Sequence, residues 1–193
     1  MALSCFLLMV LVALSCNLIC CLGCVLPQSQ NLANRTLTVL QEMERTDPFY
    51  CLKDRKDFGF PQKELEGHKF LKAQAISVHH DLIQQTFNLF SKQSASAAWN
   101  KTLLDELRTA LYQQLNHLEV CLMQEMKGEE PPLINVYSRL AVRKYFRGIT
   151  VYLAEKRYSP CSWEIVRVAI MRSFLALTNW QERLRSEEDN LVP

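Results

Sequence analysis

Among 193 residues, the side chains best suited to chemistry are four histidines and eight cysteines, and their spacing limits what they can do. His79 and His80 are adjacent, and neighbours at i and i+1 of a helix point apart, which is wrong for a shared metal ion. His68 and His117 stand alone, and an exposed polar side chain is the expected state of both. The sequence has no G-x-S-x-G, H-E-x-x-H, P-loop or G-x-G-x-x-G pattern. Glu129, Glu130, Glu187, Glu188 and Asp189 fall beside turns or in the tail, where solvated charge is the ordinary state. The expectation is a chain that is no enzyme and uses neither cofactor nor metal. A small secreted hydrolase is the rival from the enzyme class, and turnover on a generic substrate panel would be its mark.

The cysteines divide into two groups. Cys5, Cys16, Cys20 and Cys21 lie in an opening segment, 1–23, that is apolar apart from Ser4, Ser15 and Asn17; the first charged side chain is Arg35. Such a segment reads as a secretory signal peptide, ahead of one domain at 24–193. A transmembrane anchor and a lipoprotein leader, the latter suggested by Leu22-Gly23 before Cys24, are the rivals. Cleavage there separates Cys21 from Cys24 and removes their C-x-x-C as a redox or zinc motif. Cys24, Cys51, Cys121 and Cys161 remain. In a secreted body, four separated cysteines imply two disulfides, with three connectivities open. The same compartment makes Asn34-Arg35-Thr36 and Asn100-Lys101-Thr102 acceptors for N-linked glycans.

Composition agrees with one globular domain: 49% hydrophobic and 22% charged residues leave a net charge of only +2. That balance is too even for a partner such as nucleic acid, which needs clustered and unbalanced Lys and Arg, and it gives no support to a membrane-surface role.

Positioning falls to helices. After the leader only Gly59, Gly67, Gly128 and Gly148 occur, and the prolines leave long stretches in which no helix donor is lost. Leu104, Leu107, Leu111, Leu115, Leu118 and Leu122 recur every three or four positions, as do Trp163, Val166, Ile170, Phe174 and Leu177. Val142, Tyr145, Phe146, Ile149, Tyr152 and Leu153 form a broader stripe. Ile76, Ile83, Phe87 and Phe90 give a weaker one, and Ala33, Leu37 and Leu40 begin a fifth. Five helices are predicted over 30–43, 70–90, 97–122, 133–156 and 161–183, the last announced by Ser159-Pro160. The connection 44–69 is long enough to cross a bundle and return the chain in the same direction, whereas short gaps at 91–96 and 157–160 favour antiparallel neighbours. The fold class is therefore all-α with an up-up opening.

Two surfaces stand out on these helices. Beside its core stripe the last helix carries Arg167, Met171 and Leu175 at intervals of four, with Val168 and Arg172 adjoining. That mixture has the composition of a protein-protein anchor; a wide core face with two snorkelling arginines is the alternative. On the fourth helix Arg139, Arg143 and Arg147 repeat at i+4 with Lys144 alongside, either a solvated face or one that steers an acidic partner.

One long motif is specific. Cys51-Leu52-Lys53-Asp54-Arg55-Lys56-Asp57-Phe58-Gly59-Phe60-Pro61 resembles the first-loop motif of type I interferons of the alpha/omega branch. Ser96 to Asp105, Ala141 to Phe146 and Tyr158 to Glu164 continue the resemblance, which covers essentially the whole chain from Cys24. It implies a five-helix long-chain cytokine bundle, an up-up-down-down four-helix core plus one extra helix, with disulfides Cys24 to Cys121 and Cys51 to Cys161. It further implies a secreted monomer that inserts into no membrane and bridges the two chains of the interferon alpha/beta receptor, so that their bound kinases signal an antiviral, antiproliferative response. By the same analogy Leu52, Arg55, Arg167, Val168, Met171, Arg172 and Leu175 meet the higher-affinity chain, and Phe87, Asn88, Leu103, Tyr112 and Arg143 the second. Arg108 stands where alpha members often carry an aromatic. A growth-hormone-like factor shares the architecture without the motif at Cys51 to Pro61.

Overall fold

The computed structural model describes residues 27–62, Leu65, 72–125 and 134–189. The leader, Cys24 and His68 lie outside the described residues. Among the described residues six α-helices and one 3-10 helix follow in order: α1 (Pro27–Glu42), η1 (Pro48–Asp54), α2 (Lys72–Phe90), α3 (Gln93–Ala98), α4 (Lys101–Glu125), α5 (Ile134–Glu155) and α6 (Pro160–Asp189). Among the described residues there is no strand.

The predicted stripes are the core. Leu104, Leu107, Leu111, Leu115 and Leu118 of α4, Val142 to Leu153 of α5 and Trp163 to Leu177 of α6 are buried at the stripe positions. Burying side chains of this kind contributes roughly 1.5–3 kcal/mol each, which is what orders the helices around them. Phe90, Trp99 and Trp163 close one end, with ring centroids 5.8 Å apart for Phe90–Trp163 and 6.2 Å for Trp99–Trp163.

Side-chain contacts fix the directions. Between α2 and α4, His80 approaches Glu119 at 3.4 Å while Arg108 donates to the Phe90 carbonyl at 2.9 Å, so the two run antiparallel. α1 is also antiparallel to α4, since Gln114 donates to the Leu32 carbonyl at 3.1 Å whereas Arg45, beyond the end of α1, reaches the Ala98 carbonyl. Tyr145 donates to the Ala169 carbonyl at 3.2 Å, and the tight turn between them makes α5 and α6 antiparallel. Thus α1 and α2 run up and α4 and α6 run down. α5, the extra helix, packs outside on α2 and α6. The opening up-up pair is as the long connection predicted.

Boundaries depart from expectation most at two places, one being the end of α6, which runs on to Asp189 instead of 183. The third predicted helix, 97–122, is broken: α3 stops at Ala98, Trp99 is extended at φ −116°, and α4 begins at Lys101. Asn100 causes the break, its Oδ1 accepting from the backbone N–H of Thr102 at 2.9 Å and of Leu103 at 3.3 Å, as an N-cap does. At the start of α6, Ser159 Oγ accepts from Ser162 N–H at 3.2 Å with Pro160 in the first turn, the expected arrangement. α5 ends on Arg157 and Tyr158 at φ 50° and 54°, with Tyr158 N–H donating to Leu153 O at 2.8 Å and Arg157 N–H to Ala154 O at 3.0 Å.

The crossover is strapped to α5. Phe58 packs edge-on against Tyr152 at 5.1 Å and Phe60 against Tyr145 at 5.4 Å. Tyr152 donates its phenol to the Asp54 carbonyl at 2.6 Å, and Lys156 pairs with the Asp54 carboxylate at 2.9 Å. Burial, with Asp54 nearby, pushes the Tyr152 phenol up to about 12, so it keeps its donor proton at physiological pH. Gly59 supplies the φ of +63° that turns the chain between the two phenylalanines.

Candidate functional site

The sequence points to two surfaces, and the first is assembled by a covalent tie. Cys51 in η1 is bonded to Cys161 in the first turn of α6, with Cα atoms 5.2 Å apart across 110 residues of sequence. η1 forms where Asp47 accepts from Phe49 N–H at 2.9 Å and Pro48 pre-sets the first turn; it then lies against α6. Leu52 is 51% exposed, and Arg55, at the end of η1, is exposed too.

On α6 the proposed anchor residues separate. Arg172 and Leu175 are exposed, and Val168 and Met171 are half-buried, with Met171 packed on the core. Arg167 is not on the outside: it is 2% exposed. Its Nε donates to Glu164 at 3.0 and 3.1 Å, Nη1 donates to the Leu40 carbonyl at 2.7 Å, and Nη2 lies 3.7 Å from Glu44. Glu164 is itself 1% exposed. Of the two arginines in the stripe, one therefore belongs to the wide interior face and one to the surface. The physical reason is that a guanidinium is as well satisfied by a buried carboxylate and a carbonyl as by water. Arg167 sits behind the outward patch, joining the end of α1 to α6, and Met171 Sδ is 3.1 Å from its Nη1.

Three features of this region escaped the sequence reading. Glu164 is one; its spacing of three from Arg167 on one helix was the available signal. The others are Phe49 and Tyr50, 70% and 78% exposed beside Cys51 and stacked edge-on at 6.2 Å. A short Pro-led turn has no period from which inward and outward can be told.

The second set of residues spans α2, α4 and α5, with α2 packed between the other two. Asn88, Tyr112 and Arg143 are exposed, whereas Phe87 and Leu103 are half-buried against the core. Arg143 is held 3.4 Å from Asp81, a buried carboxylate that also draws Arg139 to 3.9 Å. Arg108, at the position where alpha members often carry an aromatic, does structural work: it donates to the Phe90 carbonyl through Nε and Nη2, to Ser96 Oγ at 3.0 Å and to Asp105 at 3.2 Å, closing α2 onto α3.

Of the remaining residues, Asn34 is exposed in the middle of α1 and Asn100 is exposed at the cap of α4. Cys121 is disulfide-bonded, and its expected partner Cys24 lies outside the described residues. His79 is buried; desolvation first, then His80 and His117, lower its pKa to about 4. Among the described residues no group of His, Cys, Asp and Glu could hold a metal ion, and no helix is long and apolar enough to cross a membrane.

Comparison with known proteins agrees with this geometry. The family model described as the interferon alpha/beta domain matches residues 26–184. Human interferon alpha-4 and interferon alpha-21 are each 59% identical over 189 residues, covering 97% of this chain and 100% of the relative. Horse interferon alpha-1 is 59% identical over 180 residues, covering 93% and 98%. Among solved structures, zebrafish interferon 2 superposes with a TM-score of 0.64 at 22% identity over 76% of this chain and 95% of the other, a likeness of fold. A helical bundle with a cystine-pinned crossover, matched along nearly its whole length, is accounted for in one way: the chain belongs to the interferon alpha/beta family, helical cytokines and not enzymes.

Proposed function

We propose that this type I interferon is secreted and acts by holding the two chains of the interferon alpha/beta receptor together. The higher-affinity chain docks on Leu52, Arg55, Val168, Met171, Arg172 and Leu175, with Arg167 seating the patch from behind. The second chain docks on Asn88, Tyr112 and Arg143, with Phe87 and Leu103 beneath them. The protein does no chemistry; once one chain is engaged, the other is recruited at the raised effective concentration of the membrane plane, and the receptors' kinases are brought within reach of each other.

The observation that carries this reading is the Cys51–Cys161 bond, which brings an exposed loop segment and the first turn of α6 together before any partner arrives. Preorganisation of that kind lowers the ordering cost of binding. Arg55→Ala is expected to weaken binding to the isolated ectodomain of the higher-affinity chain by at least about 2 kcal/mol, as for a hot spot, and to leave the second chain's affinity unchanged. A loss below about 0.5 kcal/mol would discard the assignment.

A further inference from the structure

Asn34 and the first proposed surface belong to different helices, and the fold sets them side by side. Thr36 of α1 is fully buried, its hydroxyl accepting from Gln114 of α4. Two residues along a helix is roughly 200° of rotation, so exposed Asn34 faces away from α4. It shares a flank with Leu37, half-buried against the core, and exposed Gln41, on the side of α1 turned from α4, and the other helix against which α1 packs is α6. Asn34 therefore lies outward on the α6 side of α1. Its height follows from the bond between Arg167 and the Leu40 carbonyl. α1 and α6 are antiparallel, so six residues back from Leu40, about 9 Å along the axis, is level with six residues on from Arg167. That is Ser173, between Arg172 and Leu175, both exposed. Leu175, at i+4 from Met171, lies about 80° round the helix from Arg167, on its exposed side.

We propose that an N-linked glycan on Asn34 borders the Arg172–Leu175 patch and weakens docking of the higher-affinity receptor chain, while leaving the second chain unaffected; this rests on the receptor assignment above. In the transfer, Asn34 Nδ2 bonds to the anomeric carbon of a lipid-pyrophosphate-linked oligosaccharide, the carbon–oxygen bond to pyrophosphate breaks, and the amide gives up one proton. Because the Thr36 hydroxyl is engaged inside the folded protein, modification must precede the docking of α1 on α4. Occupancy is then set by a race with folding. The chain leaves the cell as two forms, bare and strongly binding or glycosylated and weakly binding. Asn100 differs: Thr102 is exposed, and the capping role uses Oδ1, leaving Nδ2 for a sugar.

The test uses protein from a cell line that makes N-glycans, carrying Asn100→Asp to silence the other acceptor while keeping the cap oxygen. Bare and Asn34-glycosylated forms are separated on a lectin column and titrated against each receptor ectodomain. The bare form, the enzymatically deglycosylated form and Asn34→Gln should all bind the higher-affinity chain at least fivefold tighter than the glycosylated form, with second-chain affinities within twofold. Equal first-chain affinities, or an Asn34 that is never modified, would overturn the proposal and leave the receptor assignment standing. A bare form that fails to bind the first chain would overturn both.

Discussion

Removing Glu164 should unseat the first docking surface although Glu164 can touch no partner. The carboxylate is 1% exposed and accepts from the Nε edge of the Arg167 guanidinium with both oxygens, while Nη1 donates to the Leu40 carbonyl. Glu164→Ala leaves buried Arg167 with only the half-exposed Glu44 carboxylate, 3.7 Å away, as a countercharge, and breaking a buried pair from one side costs about 3–5 kcal/mol. In a domain of this size, each kcal/mol lowers Tm by roughly 2–4 °C, so about 4 kcal/mol corresponds to a fall of roughly 8–16 °C. Arg167→Ala should cost a similar amount, since it strands the carboxylate and the carbonyl together. The pair Glu164→Leu with Arg167→Met removes both charges at similar volume and should recover stability to within about 2 kcal/mol of the parent. The assay is urea unfolding of the four proteins, together with their affinity for the higher-affinity receptor chain. If Arg167 acts from behind the patch, the double variant regains affinity as it regains stability. Recovered stability with affinity still lost would mean that Arg167 itself meets the receptor. A single Glu164→Ala costing less than about 0.5 kcal/mol would refute the buried-network argument outright.

The disulfide, a buried histidine and the α5–α6 turn give further expected outcomes. Replacing Cys51 and Cys161 by serine should lower stability by up to about 4–5 kcal/mol, the chain-entropy value for a loop of this length, and weaken first-chain binding more than second-chain binding; equal effects on both chains would remove the clamp argument. His79 is neutral in the fold with its pKa near 4 against 6.5 unfolded, so stability is full above pH 6.5 and falls by at most about 3 kcal/mol as the pH drops toward 4; His79→Gln should flatten that limb of a stability-against-pH curve. Arg157→Gly should raise stability by up to about 1 kcal/mol by relieving a left-handed φ of 50° at the α5–α6 turn, checked by denaturant unfolding; a loss would show that the arginine side chain outweighs the strain.

What was legible in the sequence is what depends on period, punctuation and covalent chemistry. Leu104 to Leu118 and Trp163 to Leu177 announce buried helix faces because an apolar residue every three or four positions has one physical use. The length of the connection 44–69 foretold two helices running the same way. Ser159-Pro160 marked the start of α6 because capping is local.

Tertiary structure decided matters that no window of sequence contains. Arg167 and Arg172 are chemically alike, yet one is enclosed by Glu164 and Leu40 and the other meets water. A helix with neighbours on two sides buries a width that its hydrophobic stripe understates. Leu40 and Glu44 come to meet Arg167, far away in sequence, because α1 and α6 pack side by side. Spacing along the chain orders residues on one helix; only the packing of helices orders them on a surface.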